Sequence, residues 1–340
     1  MRDAIPEGFA VADAPREFVF PADHGPHPEF RTEWWYAVGH LATAEGRRFG
    51  FELTIFRQAM APPDAARPSA WGTRNLHLAH FAVTDIEGGS FHAYERLARG
   101  GAGLAGATAE PFRVWVEDWS FASEGEETFP FRLRAQEDGI ALDLRIDAGK
   151  PPVLQGDAGL SRKGPSVGSA SYYYSMTRLP TSGSVTVEDG TFTVEGITWM
   201  DREWSTGGLE EHQVGWDWFA LVLDDGRELM VAQLRREDGG VDSYGHGSWV
   251  EPDGTYHLLD LDAVDMEVLG HWTSPRSGSV YPARWRLNIR SPVDTSPDLE
   301  LLVEPLLADQ ELDVDFRYWE GAVDIQGTVT GRGYVELVGY

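Results

Sequence analysis

Short alternating or aromatic-rich runs recur along the chain between Gly, Pro, Asp and Asn, as in Trp34 to Leu41, Gly50 to Phe56, Leu76 to Thr84 and Phe112 to Val116. Alternation with a period of two marks a pleated strand, and sustained helical periodicity is scarce, so the sequence predicts a nearly all-β fold. The dipeptides Asp138-Gly139, Asp189-Gly190, Asp225-Gly226 and Asp253-Gly254 stand between such runs. Asp and Gly tolerate the backbone of a tight hairpin turn, so these dipeptides predict antiparallel meander connections. Open edges on so many strands would invite aggregation, which predicts closure into barrels or sandwiches.

The first thirty residues hold Pro6, Pro15, Pro21, Pro26 and Pro28. Residues 1–29 therefore read as an arm lying on the surface of the fold. Residues Ala59 to Ser69, with Pro62, Pro63 and Pro68, suit a lid or crossing loop at a barrel mouth, and Lys150 to Gly168 is a second long loop. A polar, Gly-bearing stretch from Ser205 to Gln213 separates two strand-rich halves, so domains are expected at 30–205 and 206–340.

Composition narrows the partners. At 340 residues, with 42% apolar and 12% aromatic residues, the chain can bury one or two substantial cores. A formal charge of −27 repels phosphate backbones and anionic lipid head groups, so nucleic acid is an unfavourable partner. The lysines are Lys150 and Lys163, and the remaining positive charge is arginine. Zero cysteines exclude disulfides, thiolate nucleophiles and Cys-containing zinc sites. No apolar run approaches the roughly 20 residues that span a bilayer, and Met1 to Pro6 shows no basic-then-apolar leader.

Aromatic signatures stand out at Thr32-Glu33-Trp34-Trp35-Tyr36, Ser171-Tyr172-Tyr173-Tyr174-Ser175, Ile197-Thr198-Trp199-Met200-Asp201-Arg202-Glu203-Trp204-Ser205 and Tyr318-Trp319-Glu320-Gly321-Ala322-Val323. Together, from about Phe20 to the C-terminus, they resemble the family of carotenoid 1,2-hydratases, AttH-type "predicted secreted hydrolases" and lipocalin-like pericyclases. The resemblance implies two lipocalin-like domains in tandem and a pocket for a terpenoid, carotenoid or polyketide. It also implies hydration, isomerisation or cyclisation of an alkene. Its hydratase branch carries His-x-Trp and, further along, Tyr-x-Asp. Here Tyr172-x-Tyr174 and Trp199-x-Asp201 occupy those positions, so the Asp is kept and the His is replaced. An exported or periplasmic location follows from the resemblance, while the residues leave a cytoplasmic one open.

Protonating an alkene needs an acid that stays neutral near pH 7, which a carboxyl does when apolar burial penalises its anion. Asp201 lies between Trp199 and Trp204 in sequence, a setting of that kind. A carbocation then needs aromatic faces, each worth about 2 kcal/mol or more when desolvated. Tyr172, Tyr174, Trp199, Trp35 and Trp218 are the candidates, with Glu33, Tyr36, Glu203 and Trp216 as further pocket residues. On a strand Trp199, Asp201 and Glu203 share one face while Met200, Arg202 and Trp204 share the other. If the first face lines the pocket, two carboxyls compete for one proton, and one becomes the acid and the other the base. The ordinary fate of a buried carboxylate is a structural ion pair, and Glu33 among bulky aromatics reads first as a partner of an interior Arg.

Other signals are weaker. Gly164-Pro165-Ser166-Val167-Gly168 matches the G-x-S-x-G of serine hydrolases, but a loop precedes it and a strand follows, where a nucleophile elbow needs strand then helix. His77 and His80 sit three apart on a strand, which turns their rings to opposite faces. His24, His27, His40, His92, His212 and His246 are scattered, so no metal is expected. No phosphate-cradling or dinucleotide motif appears, so no cofactor is expected either. The sequence thus predicts a monomeric or dimeric, cofactor-free enzyme acting on a hydrophobic small molecule. Its rivals are a carrier or sensor of lipid-like ligands, a hydrolase of a lipid-like ester, and a scaffold with filled barrels.

Overall fold

The structure is a computed structural model that describes residues 6–64, 69 and 72–340. Of the lid expected at Ala59 to Ser69, residues 65–68 lie outside the described residues. Among the described residues there is no α-helix, only 3-10 turns at Ala22–His24, ahead of the first strand, and at Leu261–Ala263 between strands. No helix there is long and apolar enough to cross a membrane. The chain divides into two compact units: Met1–Val83 with His92–Gly208, and Thr84–Phe91 with Leu209–Tyr340.

The first unit's strands are β1 Thr32–Ala42, β2 Arg48–Ala59, β3 Asn75–Asp85, β4 Ser90–Arg99, β5 Ala105–Thr108, β6 Arg113–Val116, β7 Trp119–Ser123, β8 Phe131–Glu137, β9 Ile140–Ile146, β10 Val153–Leu154, β11 Leu160–Arg162, β12 Ala170–Val187 and β13 Gly190–Ser205. They form one sheet in the order β4-β3-β2-β1-β13-β12-β9-β8-β7-β6-β5, with β10 and β11 pairing β12. The loop expected from Lys150 to Gly168 thus lends two short strands to the sheet. The sheet curls around a single core: Phe81 of β3 meets Trp119 of β7 edge-on at 5.4 Å between ring centroids. Burying each such side chain contributes about 1.5–3 kcal/mol. The Asp138-Gly139 turn between β8 and β9 has φ of 47° and 85°, the paired left-handed conformation of the tightest hairpins.

The second unit holds β14 Gln213–Leu223, β15 Glu228–Arg236, β16 His246–Val250, β17 Tyr256–Asp260, β18 Val264–Thr273, β19 Val280–Ile289, β20 Leu299–Pro305, β21 Glu311–Leu312, β22 Tyr318–Gly327 and β23 Gly331–Val338. Their order is β17-β16-β15-β14-β23-β22-β20-β19-β18, with β21 pairing β22. Phe219 of β14 packs edge-on against Trp285 of β19 at 5.4 Å, so this sheet also curls round its own core. Trp319 belongs to that core. Two curled antiparallel sheets are the lipocalin-like architecture that the resemblance implies.

The N-terminal arm departs from expectation. Residues 6–22 are, Ala12 aside, partly or fully exposed, but Asp23, His24 and His27 are buried, and His24 reaches Phe112 and Phe131 inside the first unit. Prolines keep the segment out of the sheet, while the His24 ring and the half-buried Phe18 pack against the residues that the sheet encloses.

Candidate active site

Parity along β13 divides its residues. Met200 and Trp204 belong to the first unit's core, so the even-numbered residues there, Arg202 included, face the lumen. Trp199, Asp201 and Glu203 face the other way. In the ladders Asp201 stands opposite Tyr36 of β1 and Ser175 of β12, Glu203 stands opposite Trp34 and Tyr173, and Tyr36 stands opposite Thr54 of β2. Directly opposed residues project from the same face. The face behind the lumen therefore gathers Tyr36, Thr54, Tyr173, Ser175, Trp199, Asp201 and Glu203, all of them buried.

Asp201 is held by neutral donors. Trp199 Nε1 donates to its Oδ1 at 2.7 Å and the Tyr173 hydroxyl donates to its Oδ2 at 2.5 Å. Ser175 adds a third hydrogen bond and is itself fixed by Gln155 Nε2 at 2.9 Å. Among the described residues no Arg, Lys or His forms an ion pair with Asp201. Burial pushes its pKa up from the ordinary carboxylate range to about 7, against the three hydrogen bonds and with a smaller push from the charge of Glu203. Burial, then the charges of Asp201 and Glu203, raise the Tyr173 hydroxyl well above its ordinary value. Such a carboxyl is half protonated near neutrality and can give up a proton to a bound molecule.

Four expected site residues lie elsewhere. Tyr172, Tyr174, Glu33 and Trp35 face the lumen, away from Asp201. The Tyr172 hydroxyl donates to Ala14 O at 2.8 Å, and that of Tyr174 lies 2.6 Å from His24 Nδ1. Trp35 Nε1 donates to His24 O at 2.8 Å and its ring faces the Arg202 guanidinium at 4.1 Å. Glu33 bridges Arg57 and Arg202, the latter at 3.0 Å. Burial alone would raise Glu33, but His27, Arg57 and Arg202 outweigh it and hold its pKa far below the usual range. This is the structural ion pair that the sequence reads first for Glu33.

The cause of the exchange between tyrosines is one bulge. From the Glu188-Asp189 turn, one residue before the expected Asp189-Gly190, the ladder runs Val187↔Gly190 to Leu179↔Thr198, a register that, carried on, would set Met176 opposite Asp201. Tyr172 and Tyr174 would then share its face. A register shift between Met176 and Leu179 instead sets Ser175 there and brings Tyr173 round. Spacing in the sequence cannot reveal that shift, and so cannot point to Tyr173 and Ser175 as partners of Asp201.

The remaining candidates divide similarly. Tyr36 shares the face of Asp201. Trp216 and Trp218 belong to the second unit, where Trp218 is buried on the side of β14 opposite the core residues Phe219 and Leu221. His77 and His80 point to opposite faces of β3, and His80 Nε2 lies 3.2 Å from Glu95. Among the described residues no group of three or more His, Asp or Glu is arranged to hold a metal ion. Ser166 of the G-x-S-x-G sequence lies in the loop between β11 and β12, with no helix after it.

Comparison with known proteins agrees with this architecture. The crystal structure of an AttH-type protein from Nitrosomonas europaea superposes with a TM-score of 0.85 at 35% identity, covering 98% of this chain and all of that one. Kievitone hydratase from Nectria haematococca shares the fold, with a TM-score of 0.71 at 17% identity over 98% of this chain and 97% of its own. In sequence, kievitone hydratase of Fusarium solani subsp. phaseoli is 30% identical over 221 residues, 61% of this chain and 59% of its own length. The dehydratase asqC of Emericella nidulans is 30% identical over 95 residues, 27% of this chain and 25% of its length. The match thus spans a quarter to three-fifths of these curated relatives. The AttH-like family profile matches residues 11–340, and the chain belongs to the AttH-like family.

Proposed function

We propose that this protein adds water to, or removes it from, a hydrophobic alkene-bearing small molecule of terpenoid, carotenoid or polyketide type, with Asp201 as the proton donor. The observation that carries this reading is a buried carboxyl, raised to about 7, that neutral Trp, Tyr and Ser donors hold without a cation. The names of the relatives, a hydratase and a dehydratase, support the same reaction type.

In the hydration direction Asp201 gives its proton to one alkene carbon, and positive charge develops on the other. The faces of Trp199, Tyr36 and Tyr173 offer electron-rich walls to that charge, each worth about 2 kcal/mol or more when water is excluded. Water then adds to the cation and releases a proton. The reverse sequence is dehydration. Isomerisation needs only the protonation step followed by loss of a different proton, so the same acid serves it.

The lumen of the first unit is occupied by the chain's own arm, with His24 against Tyr174 and His27 stacked on Trp204 at 3.7 Å. This filling supports placing chemistry on the Asp201 face in preference to ligand storage inside that lumen. The deciding experiment incubates a panel of terpenoid and polyketide alkenes with the protein in D2O and reads deuterium incorporation by mass spectrometry. Replacing Asp201 with Asn should cut turnover by about 10²–10⁴-fold while ligand binding persists. Unchanged turnover removes Asp201 from the reaction.

A further inference from the structure

The loop after β11 closes on itself: Lys163 N donates to Ser169 O at 2.7 Å and Ser169 N to Ser166 O at 3.0 Å. Its Gly164-Pro165-Ser166-Val167-Gly168 sequence builds a turn that leaves Lys163 beside the Asp201 face. Lys163 Nζ lies 3.1 Å from Glu203 Oε1 and donates to Ser161 Oγ at 3.0 Å. It also lies 5.8 Å from the centre of the Tyr173 ring. Glu203 takes a second, short hydrogen bond from the Ser171 hydroxyl. The Glu203 side chain is 8% exposed and that of Lys163 21%, so a partly exposed ammonium clamps a buried carboxylate.

We propose that Lys163 is a positioning residue that holds Glu203 ionised, so that Glu203 takes the proton of the attacking water while Asp201 supplies the proton to the alkene. The proposal rests on the reading of Asp201 given above. Two residues apart on one strand face, Asp201 and Glu203 are separated by about 7 Å along the backbone. In inverting glycoside hydrolysis two carboxyls at about 6.5–9.5 Å leave room for a water between acid and base.

The step balances. The Asp201 proton and the alkene π pair form a C–H bond, and a lone pair of water forms the C–O bond at the cation. The proton that water loses goes to Glu203, and its return to Asp201 leaves both carboxyls as they began.

Without a device that distinguishes them, two carboxyls on one buried face share a single proton and neither role is assured. Lys163 is that device because it touches Glu203 and not Asp201. The groups facing Glu203 among the described residues are Lys163 and Ser161 from β11 and its loop, Ser171 and Tyr173 from β12, Asp201 on β13 and Trp34 on β1. Of these Lys163 is the cation, and Tyr173 and Asp201 are the acidic groups.

The test compares the full chain with Lys163→Met and Lys163→Arg, each checked for a cooperative melt. Carbon-13 labelling of glutamate carboxyls, with the signal assigned through Glu203→Gln, follows ionisation of Glu203 directly. In Lys163→Met the titration of that signal should move to higher pH, and the acid limb of the turnover profile should move with it. Lys163→Arg should restore both. A Glu203 titration that ignores the loss of Lys163 overturns the proposal whatever the activity, and so does an acid limb that stays in place in Lys163→Met. Persistent turnover in Asp201→Asn strikes the parent reading instead, and the labelled Glu203 signal tells the two failures apart.

Discussion

Asp201 and Arg202 are adjacent in β13 and have opposite electrostatic lives. Arg202 turns into the lumen, where Glu33 at 3.0 Å and the carbonyls of His24, Trp34 and Gly25 satisfy its guanidinium. Asp201 turns the other way and meets an indole, a phenol and a hydroxyl. Had both side chains shared a face, the guanidinium would have claimed the carboxylate and lowered its pKa. Strand parity keeps them apart.

That separation has a measurable cost. The folded-state pKa of Asp201, about 7, lies above its ordinary value of 3.8. Its contribution to stability is therefore complete below 3.8 and is lost as pH rises through 7, a change of about 4 kcal/mol. Asp201→Asn removes the ionisation. In urea melts the variant should gain on the wild type from pH 4 to about pH 7 and hold that gain above it, and a gap that does not depend on pH would show that the carboxyl ionises freely in the fold.

Arg202 carries the converse prediction. Arg202→Met leaves Glu33 buried with one of its two guanidinium partners gone, and should destabilise the first unit by about 3–5 kcal/mol. Glu33→Gln in the same chain should recover part of the loss, because it removes the orphaned charge. Equilibrium denaturation of the single and double variants measures this, and strict additivity would contradict a direct ion pair.

The tyrosines provide the sharpest discrimination. Tyr173→Phe removes a donor that stabilises the Asp201 carboxylate, so the acid form should persist and turnover should extend to higher pH by about one unit. Tyr174→Phe removes the contact with His24 and should cost about 1 kcal/mol of stability without moving the pH profile. If the profile follows Tyr174 and ignores Tyr173, the face assigned to Asp201 is the wrong one.

Much of this was legible in the residues. The alternation that predicts β1, β2 and β3 and the Asp-Gly turns that join neighbouring strands are local features, and so is the grouping of Trp199, Asp201 and Glu203 on one side. The tertiary structure decided matters that depend on distant parts of the chain. The filling of the lumen by the arm requires a closed sheet around it, and the exchange of Tyr174 for Tyr173 requires a bulge eight residues or more from the turn that starts the ladder. A side chain's parity within its strand follows from its neighbours in sequence. Which side becomes the lumen, and which residues of the next strand stand opposite, are set by pairing energies summed over the whole sheet.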